Sequence, residues 1–294
     1  MNFACDRAMR ETRHKDEDTL KNAKSGLPAW DHSSHEKFFE YYAKESQSPE
    51  TLGRLRSIRD AVVRVWEERR QDSTPLEVAD IGCGAGTQCL LWAELGHRVH
   101  GLDVNEPLLQ LASERAASAG RVIDFQIGTA VELPWADTSM DICLTLELLE
   151  HVADWGKCLS ECARILRPGG ILVLTTTNFL CPIQQEFNLP LYSWYPGPLK
   201  RQVESLAKKS RPDLANYAKY PAVNWFSFYS LRALLRRDGF HCLDRFDVID
   251  VSSKRGLARW VVTSIRRVPM LRWLAHLGTS GTMVFAVKER GTSL

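Results

Sequence analysis

Between Pro49 and Gln71 the apolar residues Leu52, Leu55, Ile58, Val62, Val65 and Trp66 recur at intervals of three and four, with one interval spanning a single step. That spacing predicts a helix with one buried face, which the stretch Gln71 to Pro75 closes. The period then changes, and short β-rich runs alternate with helical patterns. The runs are Leu76 to Ile81, Val99 to Leu102, Val122 to Ile127 and Asp141 to Leu146. Helices are expected over about Gln88 to Leu95, around Leu108 to Ala119, and from Trp155 to Leu166. A turn at Arg167-Pro168-Gly169-Gly170 then leads into a strand over Ile171 to Thr176. Strand and helix in this alternation imply parallel pairing through right-handed crossovers, so the fold class is α/β with a doubly wound sheet.

After Thr177 the alternation stops. About 45 residues rich in Pro, Tyr and Trp precede a helix over Ser227 to Arg237, and they are too aromatic to be a linker. Phe240 to Val251 and Thr282 to Lys288 read as two last strands. Between them, Lys254 to Val268 places Leu257, Trp260, Val261, Ile265 and Val268 on one arc and Arg255, Arg259 and Arg266 opposite. Such a helix either covers the sheet or lies on an anionic membrane. At the other end, the first 25 residues are polar and charged and read as an arm, followed by aromatics at Trp30, Phe38, Phe39, Tyr41 and Tyr42 that suit a lid or hairpin. The expected division is arm and lid helices over 1–72, a ligand-binding core over 73–178, an aromatic cap over 179–226, and completion of the sheet over 227–294.

Composition narrows the partners. The 294 residues carry 38 Lys and Arg against 36 Asp and Glu, a balance that argues against whole-surface attraction to nucleic acid. Eight cysteines with no CxxC pair, several inside apolar segments, read as reduced core thiols of a cytoplasmic protein. No secretory leader and no long apolar span stands in the sequence, so any membrane contact is expected to be peripheral, at the inner face.

The chemistry concentrates in Val78-Ala79-Asp80-Ile81-Gly82-Cys83-Gly84-Ala85-Gly86-Thr87. Glycines in a turn between strand and helix permit positive φ and let a ligand approach the backbone. The spacing Gly82-x-Gly84-x-Gly86 is one place short of the dinucleotide fingerprint, and no Lys-Ser or Lys-Thr follows as a P-loop needs. An uncharged nucleoside with an amino-acid tail suits the turn better than a pyrophosphate. Asp80 stands at the strand end, and Asp103, about 20 residues on in His97-Arg98-Val99-His100-Gly101-Leu102-Asp103, is placed to accept both hydroxyls of a ribose.

These residues resemble the class I S-adenosylmethionine-dependent methyltransferases. The resemblance rests on VADIGCGAG, HGLDVN, Ile127-Gly128-Thr129-Ala130-x-x-Leu133-Pro134, Leu146-Glu147-Leu148-Leu149-Glu150-His151-Val152 and Leu166-Arg167-Pro168-Gly169-Gly170, in that order. It implies a mostly parallel seven-stranded sheet and S-adenosylmethionine as cofactor. The glycine loop of Gly82, Gly84 and Gly86 would pass under the methionine part, Asp103 would hold the ribose, and Thr129, Ala130 and Leu133 would pack on adenine. Asp80, Val104, Leu146 and Glu147 complete the cofactor-binding set that the resemblance implies. Many relatives carry Asp where this chain has Thr129. Within the family, the ExxEHV segment is similar to that of ubiquinone-biosynthesis O-methyltransferases.

The expected activity is O-methylation of a hydrophobic or aromatic small molecule: a quinone precursor, a polyketide or a lipid-linked acceptor. Transfer from a sulfonium mainly requires alignment and exclusion of water. A hydroxyl acceptor also needs a base, for which His151 is the candidate. Glu147, Glu150 and His151, at offsets of three and four, would share one face of a helical turn and offer a divalent metal three ligands. The segment also looks like that of plant small-RNA 3′-end methyltransferases, whose further histidine has no match in Asn224-Trp225-Phe226-Ser227. The rival readings are a metal-assisted RNA 2′-O-methyltransferase and a module that binds the cofactor without transfer.

Overall fold

Strand β1 (Glu77–Ile81) lies at the centre, and Val78, Ala79 and Ile81 are fully buried. Both its faces are covered by helices, which is why its sequence runs apolar without strict alternation. The computed structural model describes residues 43–70, 75–184, 186–215, 222–252 and 254–290. The expected arm, the aromatics from Trp30 to Tyr42, and Tyr217 and Tyr220 lie outside the described residues.

Helix α1 (Pro49–Arg70) precedes β1, and α2 (Thr87–Ala93) follows it. Next come β2 (Arg98–Asp103), α3 (Glu106–Ser118), β3 (Asp124–Ile127), β4 (Met140–Leu146), α4 (Trp155–Ile165) and β5 (Leu166–Thr177). The cap contributes α5 (Gly197–Lys209) with short 3-10 turns, and then α6 (Phe228–Arg237) and β6 (Phe240–Asp244) follow. Helices α7 (Gly256–Arg267) and α8 (Pro269–Leu277) lead to β7 (Gly281–Lys288). The sheet has seven strands in the order β3-β2-β1-β4-β5-β7-β6, all parallel except β7, which runs antiparallel to both neighbours. This is the doubly wound fold expected from the alternation, and its strand order reverses between β1 and β4. Ligands in such sheets bind beyond the carboxyl ends of the strands at that switch point.

Two apolar layers hold the helices on. Val78, Ile142, Leu144, Val173 and Phe285 pack with Ile58, Val62 and Trp66 of α1 on one face. Ala79, Ile81, Cys143, Leu172 and Leu174 pack with Cys158, Cys162, Leu231 and Leu235 of α4 and α6 on the other. The seven described cysteines are all free thiols, six of them buried, as their apolar surroundings suggested. Helix starts follow side-chain chemistry. Asn105 Oδ1 accepts the N–H of Leu108 at 3.1 Å, and Pro107 fits the first turn of α3. Ser227 and Ser230 form a capping box at α6.

Several boundaries differ from expectation. The Arg167 to Gly170 turn is absorbed into β5, where a bulge near Met140 and a Gly169 φ of +82° let the strand continue. Strand β6 ends at Asp244 rather than near Val251, because the Asp244 carboxylate accepts the N–H groups of Phe246 and Asp247 and turns the chain. The basic helix expected over Lys254 to Val268 is α7, and a second helix that the sequence pattern did not separate, α8, follows it where Pro269 opens a new first turn. Among the described residues no helix is long and apolar enough to cross a membrane.

Candidate functional site

The turn after β1 carries three glycines at alternate positions, all with positive φ: +74° at Gly82, +51° at Gly84 and +72° at Gly86. Their surroundings give them different tasks. A Cβ on Gly82 would stand 2.9 Å from Leu148 Cδ1, and one on Gly86 would stand 2.7 Å from Ala112 Cβ. Those two glycines let the loop pack against the β4 turn and helix α3. A Cβ on Gly84 would meet nothing within 4 Å. Gly84 alone of the three faces open space, as a backbone that receives a ligand must.

Asp103 closes the other side of this opening. Its Oδ2 accepts the N–H of Gly84 at 2.8 Å and its Oδ1 accepts the N–H of Asn105 at 2.8 Å. Each oxygen keeps a second lone pair. Burial raises the Asp103 carboxyl above the usual range, against the lowering effect of these backbone bonds. Beside it, Val104 is 46 % exposed, an apolar surface next to the ribose-type carboxylate where a flat base can lie. Ala130 and Leu133 are buried nearby in sequence, and Thr129 is held in a small turn whose carbonyl accepts the N–H of Glu132. The Thr129 hydroxyl contacts the N–H of Val131 at 3.5 Å.

Asp80 lies beneath the loop rather than in its opening, buried and accepting the Cys89 thiol at 3.2 Å. Burial first, then repulsion from Asp103, lifts its carboxyl to about 7. Gln88, in the first turn of α2, is a residue that sequence reasoning missed. Its amide is buried, yet neither its nitrogen nor its oxygen has a hydrogen-bond partner among the described residues. Such a group costs stability until a polar ligand satisfies it.

The segment after β4 corrects one expectation. Glu147 to His151 is a bend and turn, not a helix, so Glu147, Glu150 and His151 do not share a helical face. Leu146, the half-buried last residue of β4, pairs with Thr175. Glu147 has a φ of +55°, uncommon for a side chain that is not glycine, and its N–H donates to Thr175 O at 2.9 Å. Its carboxylate points out to α1, where Arg54 Nη1 donates at 2.5 Å and Nη2 at 3.4 Å. Glu150 instead turns inward, buried, and accepts Thr176 Oγ1 at 2.8 Å. Burial pushes it to about 8. His151 is half-buried, and its backbone N–H donates to Leu148 O. Among the described residues no group of three or more His, Cys, Asp or Glu side chains converges as a metal site.

The cap stands beside these groups. Its Glu186 carboxyl is lifted to about 7, by burial and then by the charge of Glu147. Most cap aromatics pack the cap itself: Phe187 stacks on Tyr192 with ring centroids 4.0 Å apart, and Tyr195 and Trp225 lean on the same ring. Phe226 and Phe228 belong to the main core. Trp194 and Phe179 remain exposed. Asn224 joins cap to turn, its amide donating to Leu149 O at 2.9 Å and Val152 O at 2.7 Å.

The opening over Gly84, the Asp103 carboxylate and the unmet Gln88 amide fit a polar nucleoside such as S-adenosylmethionine. Residues 79–174 match the family described as methyltransferase domain. Ubiquinone biosynthesis O-methyltransferase of Mesorhizobium japonicum is 35 % identical over 128 residues, 42 % of this chain and 51 % of that one. The protein of that name from Sinorhizobium medicae is 38 % identical over 128 residues, 42 % and 52 % of the two chains. The chain spans about half the length of the curated relatives it matches. Among solved structures, the PH0226 protein from Pyrococcus horikoshii OT3 has a TM-score of 0.52 at 15 % identity, covering 87 % of this chain and all of that one. A putative sarcosine dimethylglycine methyltransferase from Galdieria sulphuraria has a TM-score of 0.50 at 20 % identity, covering 81 % and 86 %. These two share the fold.

Proposed function

From the match of residues 79–174 to the methyltransferase domain family, we propose that this chain is an S-adenosylmethionine-dependent methyltransferase that transfers a methyl group to an oxygen of a hydrophobic or aromatic small molecule. A quinone precursor, a polyketide and a lipid-linked acceptor all fit. The names of the curated relatives support the quinone precursor most directly.

When bound, S-adenosylmethionine supplies an electrophilic methyl group on a sulfonium. The chain's own residues do the rest. Gly82, Gly84 and Gly86 form the floor under the methionine part, with Gly84 giving the closest approach. Asp103 takes the ribose hydroxyls on its free lone pairs, and Val104, Thr129 and Ala130 flank the base. Asp80 acts from below, as a buried carboxyl whose ionisation a cation above the loop would favour. Leu146 and Glu147, at the end of β4, would complete the residues that hold the cofactor, and Glu147 also tethers Arg54 of α1. His151 removes the acceptor proton. The cap over 179–226 excludes water and lines the acceptor side, while α1, tied to Glu147 through Arg54, borders the cofactor side. The acceptor being greasy, contact with the inner face of a membrane belongs to the same reading.

The observation that carries this proposal is the open face of Gly84 within hydrogen-bond reach of the Asp103 carboxylate. Isothermal titration with S-adenosylmethionine and its demethylated product tests it, with labelled-methyl transfer into hydroxylated aromatic acceptors as the second arm. Binding by the parent and loss of binding in Asp103→Ala is the expected result. Equal binding by the two proteins refutes the site, and tight binding without transfer to any acceptor refutes the activity.

A further inference from the structure

The connection between β6 and β7 leaves and re-enters the sheet at the end that carries the candidate site. Asp244 of β6 pairs with Val284 of β7, and β7 starts where Gly281 pairs with Thr177 at the carboxyl end of β5. Helices α7 and α8 fill that connection as a hairpin. Its inner side is fastened by polar groups. Arg272 Nε donates to Asp244 at 2.6 Å and a second Arg272 nitrogen reaches Asp247, while His276 Nε2 lies 2.9 Å from the same Asp244 oxygen. Arg266 donates to the carbonyls of Phe246, Asp247 and Ile249. The Asn178 amide, one residue past β5, donates to His276 O and Thr279 O, both at 2.8 Å.

The outer side is apolar, and among the described residues nothing covers it. No residue of α7 is buried. Leu257 is 74 % exposed, Trp260 67 % and Met270 71 %, and Trp273 and Leu274 of α8 continue the ridge. A helix laid over the sheet would bury this arc, which is the other reading that the sequence left open. Large contiguous apolar surfaces of this kind mark interaction sites.

Charge selects the partner. Residues 251–280 hold six Lys and Arg and no Asp or Glu. Arg266 and Arg272 are committed to the inner side, so Lys254, Arg255, Arg259 and Arg267 are the exposed cations that surround the ridge. A second copy of this chain would oppose the same cations to themselves. A bilayer of anionic lipid offers both acyl chains for the tryptophans and phosphates for the arginines.

We propose that the α7–α8 hairpin docks this protein on anionic membrane surfaces, inserting the Leu257, Trp260 and Met270 ridge among the lipids. Asn178 ties the docked hairpin to the end of β5, so docking holds the site's rim toward the membrane that would hold a greasy acceptor. That last step rests on the proposed function, whereas the docking itself does not.

Flotation of the full chain with vesicles of phosphatidylglycerol and phosphatidylcholine in equal parts, and of phosphatidylcholine alone, tests it. The expected result is co-flotation with the anionic vesicles, a blue shift of tryptophan emission, and at least about tenfold weaker binding to the neutral ones. Trp260→Glu combined with Met270→Glu should abolish flotation, whereas Val122→Glu, on the connection between α3 and β3, should not. All three positions are exposed, and retained melting temperature and cofactor titration show that each variant is folded. Absence of flotation, equal flotation on the two vesicle types, or a double variant that still floats overturns the proposal. So does a dimer in light scattering that the double variant abolishes. Lost flotation in a variant that still titrates with S-adenosylmethionine leaves the proposed function standing.

Discussion

Alanine substitutions at Gly84 and Gly86 separate ligand approach from packing within one loop. Both residues have positive φ, so either alanine incurs about 1–2 kcal/mol of left-handed strain. At Gly84 nothing more is expected for the free protein, because the added Cβ meets open space. At Gly86 the Cβ would also press on Ala112 Cβ at 2.7 Å and Phe125 Cζ at 3.1 Å. Overpacking of that kind adds about 1–3 kcal/mol. For a chain of this size, Gly84→Ala should lower the melting temperature by about 2–6 °C, and Gly86→Ala by roughly twice as much. Cofactor binding should show the reverse order of specificity. The Gly84 methyl group takes space that the ligand needs and should weaken affinity at least about 30-fold, or about 2 kcal/mol, in isothermal titration of the folded variant. Gly84→Ala that holds S-adenosylmethionine within about threefold of the parent would refute Gly84 as the floor of the site.

Three further predictions use other groups of the site. Glu150 has its carboxyl raised from 4.5 to about 8 by burial, so the folded state resists ionisation. The stability held when Glu150 is protonated is full below pH 4.5 and is lost progressively as pH rises to about 8, at about 1.4 kcal/mol per pH unit and on the order of 5 kcal/mol in all. Glu150→Gln, which keeps an acceptor for Thr176, should flatten that slope and raise the melting temperature at pH 8.5, and an unchanged pH profile would contradict the assignment. Gln88→Leu should stabilise the ligand-free protein by about 1 kcal/mol by removing an unmet buried amide; it should also weaken cofactor binding, and urea unfolding with titration reads both effects. Arg54→Ala breaks an ion pair whose side chains are 43 % and 58 % exposed, so it should change stability by less than about 1 kcal/mol. Its larger effect should be faster dissociation of the cofactor in stopped-flow measurements, since the pair ties α1 to the turn after β4.

How much of this was legible depends on whether the deciding forces are local. The parallel sheet follows from apolar runs such as Val78 to Ile81 that alternate with helical periods, and the turn chemistry at Asn105 and Pro107 sits where it acts. That Asp103 closes on the glycine turn could be read because a strand end and a tight turn hold their groups at fixed offsets. Arg54 could not, since its partner Glu147 lies 93 residues away and an arginine on a polar helix face carries no sign of it. The helical turn expected for Glu147 to His151 failed for a related reason. The N–H of Glu147 is taken by Thr175 of the neighbouring strand, and that long-range bond holds it at positive φ against local preference. Gln88 carries no sign of its burial in the sequence around it, and only the packing of α2 between α1 and the sheet makes its amide unusual.

The carboxyls around the site give its parts a common logic. Asp80, Glu150 and Glu186 are each pushed to about 7 or 8 chiefly by burial, so none is held ionised by a matching cation. Glu147, which has an arginine partner, is the exposed one. A sulfonium entering between these groups would find negative charge that is costly in its absence and favoured in its presence. Binding of S-adenosylmethionine should therefore release protons near pH 7 and tighten as pH rises through that value, whereas a neutral adenine nucleoside such as the demethylated thioether's adenosine fragment should show little of either effect. Titration in two buffers of different ionisation enthalpy measures the protons directly. Release that is equal for S-adenosylmethionine and adenosine would mean that these carboxyls do not sense the sulfonium, and would remove Asp80 from the cofactor site.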